Sequence, residues 1–285
     1  MADALPKPEG RVLVIAGSDS GGGAGIQADI KTITALGGYA ATAVTAITIQ
    51  NTLGVQGVVS LAPPVVRAQM QAVLSDIGAD VIKTGMLGEA ALIEAVAEAL
   101  ADLAPGIPVV VDPVMVATSG DRLLPARAVH TLKALMIPGC ALLTPNAPEA
   151  EMLSDRSVDG INGQRRAADR LLNMGARAVL VKGGHIPGNP IVDVLATERG
   201  EVFLEGERIE TTSTHGTGCT LASAIAAGVA CGLGLEDAVR LARAYLAEAI
   251  ARAHGLGKGH GPVDHGWPAR DPEAFAAMFA KWRPR

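Results

Sequence analysis

The chain has very few aromatic residues and no basic excess. Phe, Trp and Tyr make up 2% of the 285 residues, whereas apolar residues as a whole make up 49%. We therefore expect an aliphatic core, and a flat ligand ring would be held by aliphatic side chains or methionine. The formal net charge is −5 with acidic and basic residues interspersed, so we expect no nucleic-acid partner.

Cysteine is also scarce, and long apolar runs are missing. Cys140, Cys219 and Cys231 show neither a Cys-x-x-Cys spacing nor the even number that a disulfide framework would need. This pattern suits a reducing compartment. Residues 1–11 contain no apolar signal core, and no segment is a charge-free membrane span. We expect a soluble, cytoplasmic protein with no membrane partner.

Short apolar runs alternate with amphipathic segments along the chain. Buried strands are predicted at 11–17, 39–49, 80–83, 109–112, 141–143 and 178–182. Helices are predicted between them, and 191–204 is predicted to be a hairpin. This alternation favours an α/β fold with a parallel sheet and right-handed crossovers. Because no linker, charge block or repeat divides the chain, we expect a single domain over residues 1–285, with residues 1–10 as a flexible tail.

A glycine-rich turn at 211–220, Thr-Thr-Ser-Thr-His-Gly-Thr-Gly-Cys-Thr, leads into a helical run of small apolar residues. Gly216 and Gly218 permit backbone conformations that other residues avoid. Backbone N–H groups at the positive end of a helix predict an anion site, suited to a phosphoryl group in transfer. The same field would lower the pKa of the Cys219 thiol. The alternatives are a buried packing role for Cys219 and a plain turn position for His215.

A second glycine loop, Ser-Asp-Ser-Gly-Gly-Gly-Ala-Gly at 18–25, follows the first predicted strand. It lacks the glycine register of a dinucleotide loop, and no acidic residue ends the next strand. No Gly-Lys-Ser/Thr follows, which excludes a Walker A loop. We expect the loop to let a substrate approach the backbone.

Polar side chains follow several predicted strands, at the edge where ligands bind in such sheets. Asp112 ends a run of three valines and is a candidate Mg²⁺ ligand, with a capping or loop acid as the alternative. Asn146 and Glu149 offer further oxygen ligands, or else they cap a helix that starts near residue 147. Lys182 ends an apolar strand, which favours an anion as its partner.

Together these stretches resemble the ribokinase-like superfamily, and within it the hydroxymethylpyrimidine/phosphomethylpyrimidine kinases of thiamin biosynthesis. The matching stretches lie in family order at 16–19, 22–29, 50–52, 83–87, 112–115, 144–146, 182–185 and 215–220. As is typical of this subgroup, a cysteine, here Cys219, replaces the usual aspartate base of the superfamily. Residues 20–23, Ser-Gly-Gly-Gly, depart from the Pro-Ser-Gly-Gly that relatives often carry.

The resemblance implies ATP- and Mg²⁺-dependent phosphorylation of 4-amino-5-hydroxymethyl-2-methylpyrimidine, and then of its monophosphate to the diphosphate. It also implies a ribokinase-like fold, with a mostly parallel central sheet and helices on both faces, and a homodimer. On the substrate side, Asp29 and Gln50 would hydrogen-bond the aminopyrimidine edge. Gly17 would line the ring by its backbone, between Met86 and Val114.

The resemblance also implies roles on the phosphate side of the site. Cys219 would be the base, and Lys182 would meet phosphate oxygens. The implied catalytic residues are Cys219, Lys182, Gly216 and Gly218. The implied ATP-binding residues are Asn146, Lys182, Thr217 and Gly218, and the implied metal residues are Asp112 and Glu149.

Two other functions stay open. A pyridoxine/pyridoxal kinase of the same superfamily would share the cysteine-bearing turn and the stretch at 22–29, although residues 50–52 and 182–185 favour the pyrimidine. A pyrimidine-binding sensor without turnover would leave Asp112, Lys182 and Cys219 without a role.

Overall fold

The computed structural model describes residues 9–115 and 124–282, so most of the expected tail at 1–10 lies outside the described residues. In chain order the strands are β1 (Arg11–Asp19), β2 (Tyr39–Asn51), β3 (Gly54–Ser60), β4 (Val81–Thr84), β5 (Val109–Val111), β6 (Leu142–Leu143), β7 (Ala178–Val181), β8 (Ile191–Thr197) and β9 (Gly200–Gly206). The helices are α1 (Gly25–Ala35), α2 (Pro63–Asp76), α3 (Ala90–Leu103), α4 (Ala126–Leu135), α5 (Ala147–Ser154), α6 (Ile161–Asn173), α7 (Thr217–Ala230), α8 (Leu235–Ala251), α9 (Trp267–Arg270) and α10 (Pro272–Phe279).

The strands form one sheet in the order β3-β2-β1-β4-β5-β6-β7-β8-β9. Six neighbouring strands run parallel, namely β2, β1, β4, β5, β6 and β7 in sheet order. Strand β3 at one edge and strands β8 and β9 at the other are antiparallel. The mostly parallel sheet and the hairpin at 191–204 are therefore confirmed. Strand β3 was not predicted, because four of its seven residues are exposed and Gly54 and Gly57 interrupt its apolar pattern.

Helices cover both faces of the sheet, as expected. On β1, Leu13 and Ile15 face a core shared with α2 to α6, whereas Val12 and Val14 face a second core shared with α1, α7 and α8. All four side chains are essentially inaccessible to solvent. A strand buried on both faces has no polar face, which explains why β1 appears in the sequence as a continuous apolar run.

The core is aliphatic, but several of the rare aromatic residues gather at one place. The rings of Tyr245 and Trp267 lie 6.0 Å apart, and those of Trp267 and Phe275 lie 5.6 Å apart. This cluster joins α8, α9 and α10 in the second core. Its role is to pack α8, α9 and α10 together.

Parallel strands place all their carboxyl ends at one edge of the sheet. The residues that follow β1, β4, β5, β6 and β7 therefore meet at this edge, and α7 packs against α1 with contacts to β4. None of the helices in the described ranges is both long and apolar enough to cross a membrane.

Candidate active site

An ion pair marks the edge of the sheet where β5, β6 and β7 end. Lys182 Nζ lies 3.2 Å from Asp112 Oδ1, and the Thr144 hydroxyl donates to the same oxygen at 3.0 Å. A Cβ atom on Gly218 would lie 3.3 Å from Lys182 Nζ and 3.8 Å from Asp112 Oδ2. The first turn of α7 therefore faces this pair, and the structure brings together three residues that are far apart in the sequence.

The charge of Lys182 is stabilised by its neighbours. Burial opposes the charged form, but the carboxylates of Asp112 and Glu149 outweigh it and raise the pKa of Lys182 above its ordinary value. The ammonium group is therefore charged at neutral pH and lies beside the N-terminus of α7. Together they offer positive potential to an anion.

Asn146 and Glu149 form a capping box at the start of α5. The Glu149 N–H donates to Asn146 Oδ1 at 2.9 Å, and the Asn146 N–H donates to Glu149 Oε2 at 2.8 Å. Burial raises the pKa of Glu149 to about 7. The helix-capping interpretation is therefore correct, and the cap engages Oε2 of Glu149.

The residues in the described ranges do not form a protein metal cage. No group of three or more His, Cys, Asp or Glu side chains there could hold a metal ion. Asp112 Oδ1 is already bonded to Lys182 and Thr144, while no hydrogen bond engages Asp112 Oδ2 in the described residues. This donor set fits Mg²⁺ only if the ion arrives with other ligands, such as phosphate oxygens and water.

Asp19 organises the glycine loop after β1 and connects it to the turn before α7. Its carboxylate accepts hydrogen bonds from the N–H groups of Gly21 at 2.8 Å, Gly23 at 3.0 Å and Ala24 at 2.8 Å. His215 Nε2 lies 2.8 Å from Asp19 Oδ2. His215 is therefore more than a plain turn residue, because it ties two loops together.

The turn before α7 touches the glycine loop through its backbone. Gly216 has φ = +80°, a left-handed conformation, and a Cβ atom there would collide with the carbonyl group of Gly23. Only glycine fits this close approach without strain. Within the described residues the N–H groups of Gly218 and Cys219 have no hydrogen-bond partner, so they are available to a ligand. The Thr217 N–H donates to the Thr214 carbonyl at 3.4 Å, and the Thr220 N–H donates to the Gly216 carbonyl at 2.9 Å.

Cys219 lies in this first turn and remains partly exposed. Burial raises the pKa of its thiol to about 12, and the charge of Lys83 and the N–H of Gly25 only partly oppose that effect. The expectation of a lowered pKa is therefore wrong. Desolvation and the carboxylates of Asp29 and Asp112 outweigh the field of the helix, and the resting side chain is a thiol.

Two of the residues expected on the substrate side, Gly17 and Met86, lie next to each other. A Cβ atom on Gly17 would collide with the methyl group of Met86, so these residues are in direct contact. The Thr48 hydroxyl lies 3.0 Å from Gln50 Oε1, and the Gln50 NH₂ group has no hydrogen-bond partner among the described residues. Val114 lies two residues after Asp112, its N–H donates to the Asp112 carbonyl at 2.9 Å, and it is partly exposed.

Asp29 does not lie where a substrate could touch it. Its side chain is fully buried, Lys83 Nζ lies 3.0 and 3.2 Å from its two oxygens, and the Ser223 hydroxyl donates to Oδ1 at 2.6 Å. This placement contradicts the expected hydrogen bond from Asp29 to the aminopyrimidine. Asp29 neutralises a buried lysine instead.

Comparison with known proteins gives the family. The phosphomethylpyrimidine kinase family model matches residues 19–264. The chain belongs to the phosphomethylpyrimidine kinase family. It is 48% identical over 256 residues to the hydroxymethylpyrimidine/phosphomethylpyrimidine kinase of Streptomyces coelicolor, covering 90% of this chain and 94% of that protein. It is also 48% identical over 266 residues to the thiamine biosynthesis bifunctional protein ThiED of Geobacter sulfurreducens, covering 93% of this chain but only 54% of that longer protein.

Solved structures from the same fold include two kinds of kinase. The pyridoxal kinase from Staphylococcus aureus, in complex with ADP, superposes with a TM-score of 0.83 at 35% identity, covering 90% of this chain and 93% of that one. The phosphomethylpyrimidine kinase from Clostridium difficile gives a TM-score of 0.75 at 39% identity, covering 84% and 99%. The ribokinase-like α/β fold is thereby confirmed.

The buried ion pair of Lys83 and Asp29 was not predicted from the sequence, although both residues carried a signal in it. Lys83 interrupts a predicted buried strand, and Asp29 lies on the apolar face of α1, so both are charges at core positions. Such positions favour a pair between them, which the sequence alone did not reveal. Asp19 carried no comparable signal, because acidic residues are common in glycine loops.

Replacing Gly216 with Ala tests the contact between the turn and the glycine loop in this kinase. Gly37→Ala is the matched control, because Gly37 has a similar φ of +86° but nothing lies within 4 Å of its Cβ position. Both variants should lose about 1–3 kcal/mol of unfolding free energy, because each places an alanine in the left-handed conformation. We expect Gly216→Ala alone to lose most of its turnover as well, since the turn must move. Urea unfolding and kinase assays measure both effects, and equal turnover in the two variants would contradict this account.

Proposed function

We propose that this chain uses ATP to phosphorylate the hydroxymethyl group of 4-amino-5-hydroxymethyl-2-methylpyrimidine, and then the monophosphate to give the diphosphate. The observation that carries the proposal is the ion pair of Lys182 and Asp112, which faces the first turn of α7 beside Cys219. The names of the relatives support the same activity. Phosphoryl transfer needs positive potential and exact positioning more than covalent chemistry, and this arrangement supplies both.

The phosphate side of the proposed site consists of the turn and the lysine. The N–H groups from Gly216 to Gly218 would receive the transferring phosphoryl group, and Lys182 would neutralise its oxygens. Thr217 and Asn146 would complete the nucleotide contacts. The Staphylococcus aureus pyridoxal kinase was solved with ADP and with AMP-PCP, which supports a nucleotide as the donor.

Magnesium enters this proposal together with the nucleotide. Bound to the phosphates, Mg²⁺ would neutralise their charge and orient them. Asp112 would reach the ion through water or by Oδ2, which accepts no hydrogen bond from the described residues, and Glu149 would act through water, since its Oε2 caps α5. Asp112 also keeps Lys182 in place through their ion pair, so it would have two roles, one toward the metal and one toward the lysine.

Cys219 is proposed to receive the proton of the substrate hydroxyl in its thiolate form, after its own proton has passed to solvent. Its thiol rests protonated, because burial raises its pKa to about 12. Since the transition state of phosphoryl transfer is largely dissociative, the hydroxyl proton leaves late, when the oxygen is already acidified by the forming bond. Cys219 would therefore contribute mainly by positioning the hydroxyl, and to a lesser extent by removing its proton.

The pyrimidine is proposed to bind on the β1–β2–β4 side of the same edge. The free NH₂ group of Gln50 would donate to the ring or its substituent, and Gly17 would line the ring by its backbone. Met86 and Val114 would sandwich the ring without aromatic stacking. Met86 already lies against Gly17, so this side of the site is formed in advance.

A pyridoxal kinase activity is the second candidate. The observation that favours it is the TM-score of 0.83 to the Staphylococcus aureus pyridoxal kinase, above the 0.75 to the Clostridium difficile phosphomethylpyrimidine kinase. The curated relatives at 44–49% identity carry the pyrimidine kinase name, which favours the pyrimidine.

Product analysis tests the proposed function. The protein is incubated with MgATP and either the hydroxymethylpyrimidine or pyridoxal, and products are identified by mass. We expect both the mono- and the diphosphate of the pyrimidine, with a kcat/KM at least about tenfold above that for pyridoxal, because a polar site rejects a mismatched hydrogen-bonding edge. A preference for pyridoxal would contradict the assignment. Binding of the pyrimidine without any phosphorylated product would instead support a pyrimidine-binding sensor without turnover.

The Cys219 variants test its proposed role. We expect Cys219→Ala to keep pyrimidine and MgATP binding but to lose roughly 10²-fold or more in kcat, in line with the usual contribution of a general base. Cys219→Asp, which restores a carboxylate base, should retain more activity than the Ala variant. Calorimetry separates binding from turnover. Parent-like turnover in the Ala variant would show that Cys219 only packs.

We also propose a homodimer that buries one face of the β2–β3 hairpin. Ile47, Ile49 and Val59 share this face and are 49%, 55% and 57% exposed, an unusual density of large apolar groups. Val58 points to the opposite face, since it pairs with Thr48.

Analytical ultracentrifugation tests this dimer. We expect the parent at twice the monomer mass and Ile49→Asp as a monomer, because an unpaired charge in an apolar interface is costly. Val58→Asp on the opposite face is the control and should stay dimeric. A monomeric parent would refute the proposal, as would equal behaviour of the two variants.

A further inference from the structure

A fully buried ion pair lies beneath the proposed site. Lys83 on β4 and Asp29 on α1 are both 0% exposed, and Lys83 Nζ lies 3.0 Å from Asp29 Oδ1. Burying two charges is costly, and apolar side chains of similar volume often give an equally stable core. Packing therefore does not explain why the chain places charges here.

The pair touches the helix that carries Cys219. The Ser223 hydroxyl donates to Asp29 Oδ1 at 2.6 Å. Ser223 follows Cys219 by four residues on α7, and residues at this spacing lie on the same helical face, one turn apart. The face of α7 that bears Cys219 therefore rests on the Asp29–Lys83 pair.

We propose that Lys83 and Asp29 are positioning residues that act on Cys219 through their charges. Lys83 supplies the positive charge that stabilises the thiolate, which is the form of Cys219 that can receive the substrate proton, and Asp29 holds Lys83 in place while limiting this effect. The inference rests on the proposed function only in taking Cys219 as the group that receives the substrate proton.

Four charged side chains from four elements act on the Cys219 sulfur. Burial is the largest influence and raises the thiol pKa, and Lys83 is the largest influence that lowers it. Asp29 from α1 and Asp112, which follows β5, raise it, while Lys182, which follows β7, also interacts with the thiol. Removing Lys83 should therefore make the thiol harder to deprotonate.

The test measures the alkylation rate of Cys219 by iodoacetamide at pH 8.5, with the modified peptide quantified by mass so that Cys140 and Cys231 do not interfere. We expect Lys83→Met to react at least about threefold more slowly than the parent. Loss of a neighbouring charge shifts a pKa by one unit or more. Each unit changes the rate about threefold to fourfold, since a thiolate of higher pKa is also more nucleophilic.

The double variant Lys83→Met/Asp29→Asn keeps the test decisive if the single variant does not fold. It removes both charges but keeps a hydrogen-bonding partner for Ser223, and it should also react more slowly than the parent. Ser223→Ala changes packing on the same face without changing charge and should react at the parent rate. Loosened packing alone would expose the thiol and speed its reaction. A double variant that reacts as fast as the parent, or faster, overturns the proposal.

Kinetics separate this inference from the proposed function. In the double variant we expect kcat to fall while the KM for ATP stays at the parent value, because neither residue lies at the phosphate side of the site. The alkylation comparison needs no turnover. If the parent shows no kinase activity, the proposed function fails while the effect of Lys83 on Cys219 is still measured, and a KM for ATP that rises with the fall in kcat would contradict the positioning role.

Discussion

The site depends on the contact between two loops that are almost two hundred residues apart in the chain. The Asp19 carboxylate accepts hydrogen bonds from three backbone N–H groups of the glycine loop. It is also hydrogen-bonded to the ring of His215, which lies directly before Gly216 and the first turn of α7. The carboxylate therefore fixes the loop that lines the substrate side and the turn that faces the phosphate side. Gly216 completes the contact, because only glycine can approach the Gly23 carbonyl so closely.

Burial, and not the helix field, decides the state of Cys219. A helix N-terminus stabilises a nearby negative charge by about 0.3–1 kcal/mol. Full burial shifts a pKa by up to about 3–5 units, and each unit corresponds to about 1.4 kcal/mol. The pKa of about 12 follows from this imbalance. The field of the turn is thus available to the phosphoryl group, with which a resting thiolate would otherwise compete.

The sequence predicts those features that depend on local pattern. The continuous apolar runs predicted the parallel strands, and the polar residues that follow them predicted the edge at which Asp112 and Lys182 meet. Strand β3 escaped prediction because it is exposed and interrupted by glycine. The wrong expectations for Asp29 and for the thiol pKa share one cause: both depend on burial in the folded chain and on the charge of Lys83, which is distant from both residues in sequence.

The central claim is that the nucleotide phosphates bind between Lys182 and the first turn of α7, and not in the glycine loop at 18–25. A crystal structure of the protein with MgADP tests it most directly. We predict phosphate oxygens within about 3 Å of Lys182 Nζ and of backbone N–H groups from Gly216 to Cys219, the usual range of charge-assisted hydrogen bonds. Phosphates bound instead in the loop at 18–25 would contradict the account.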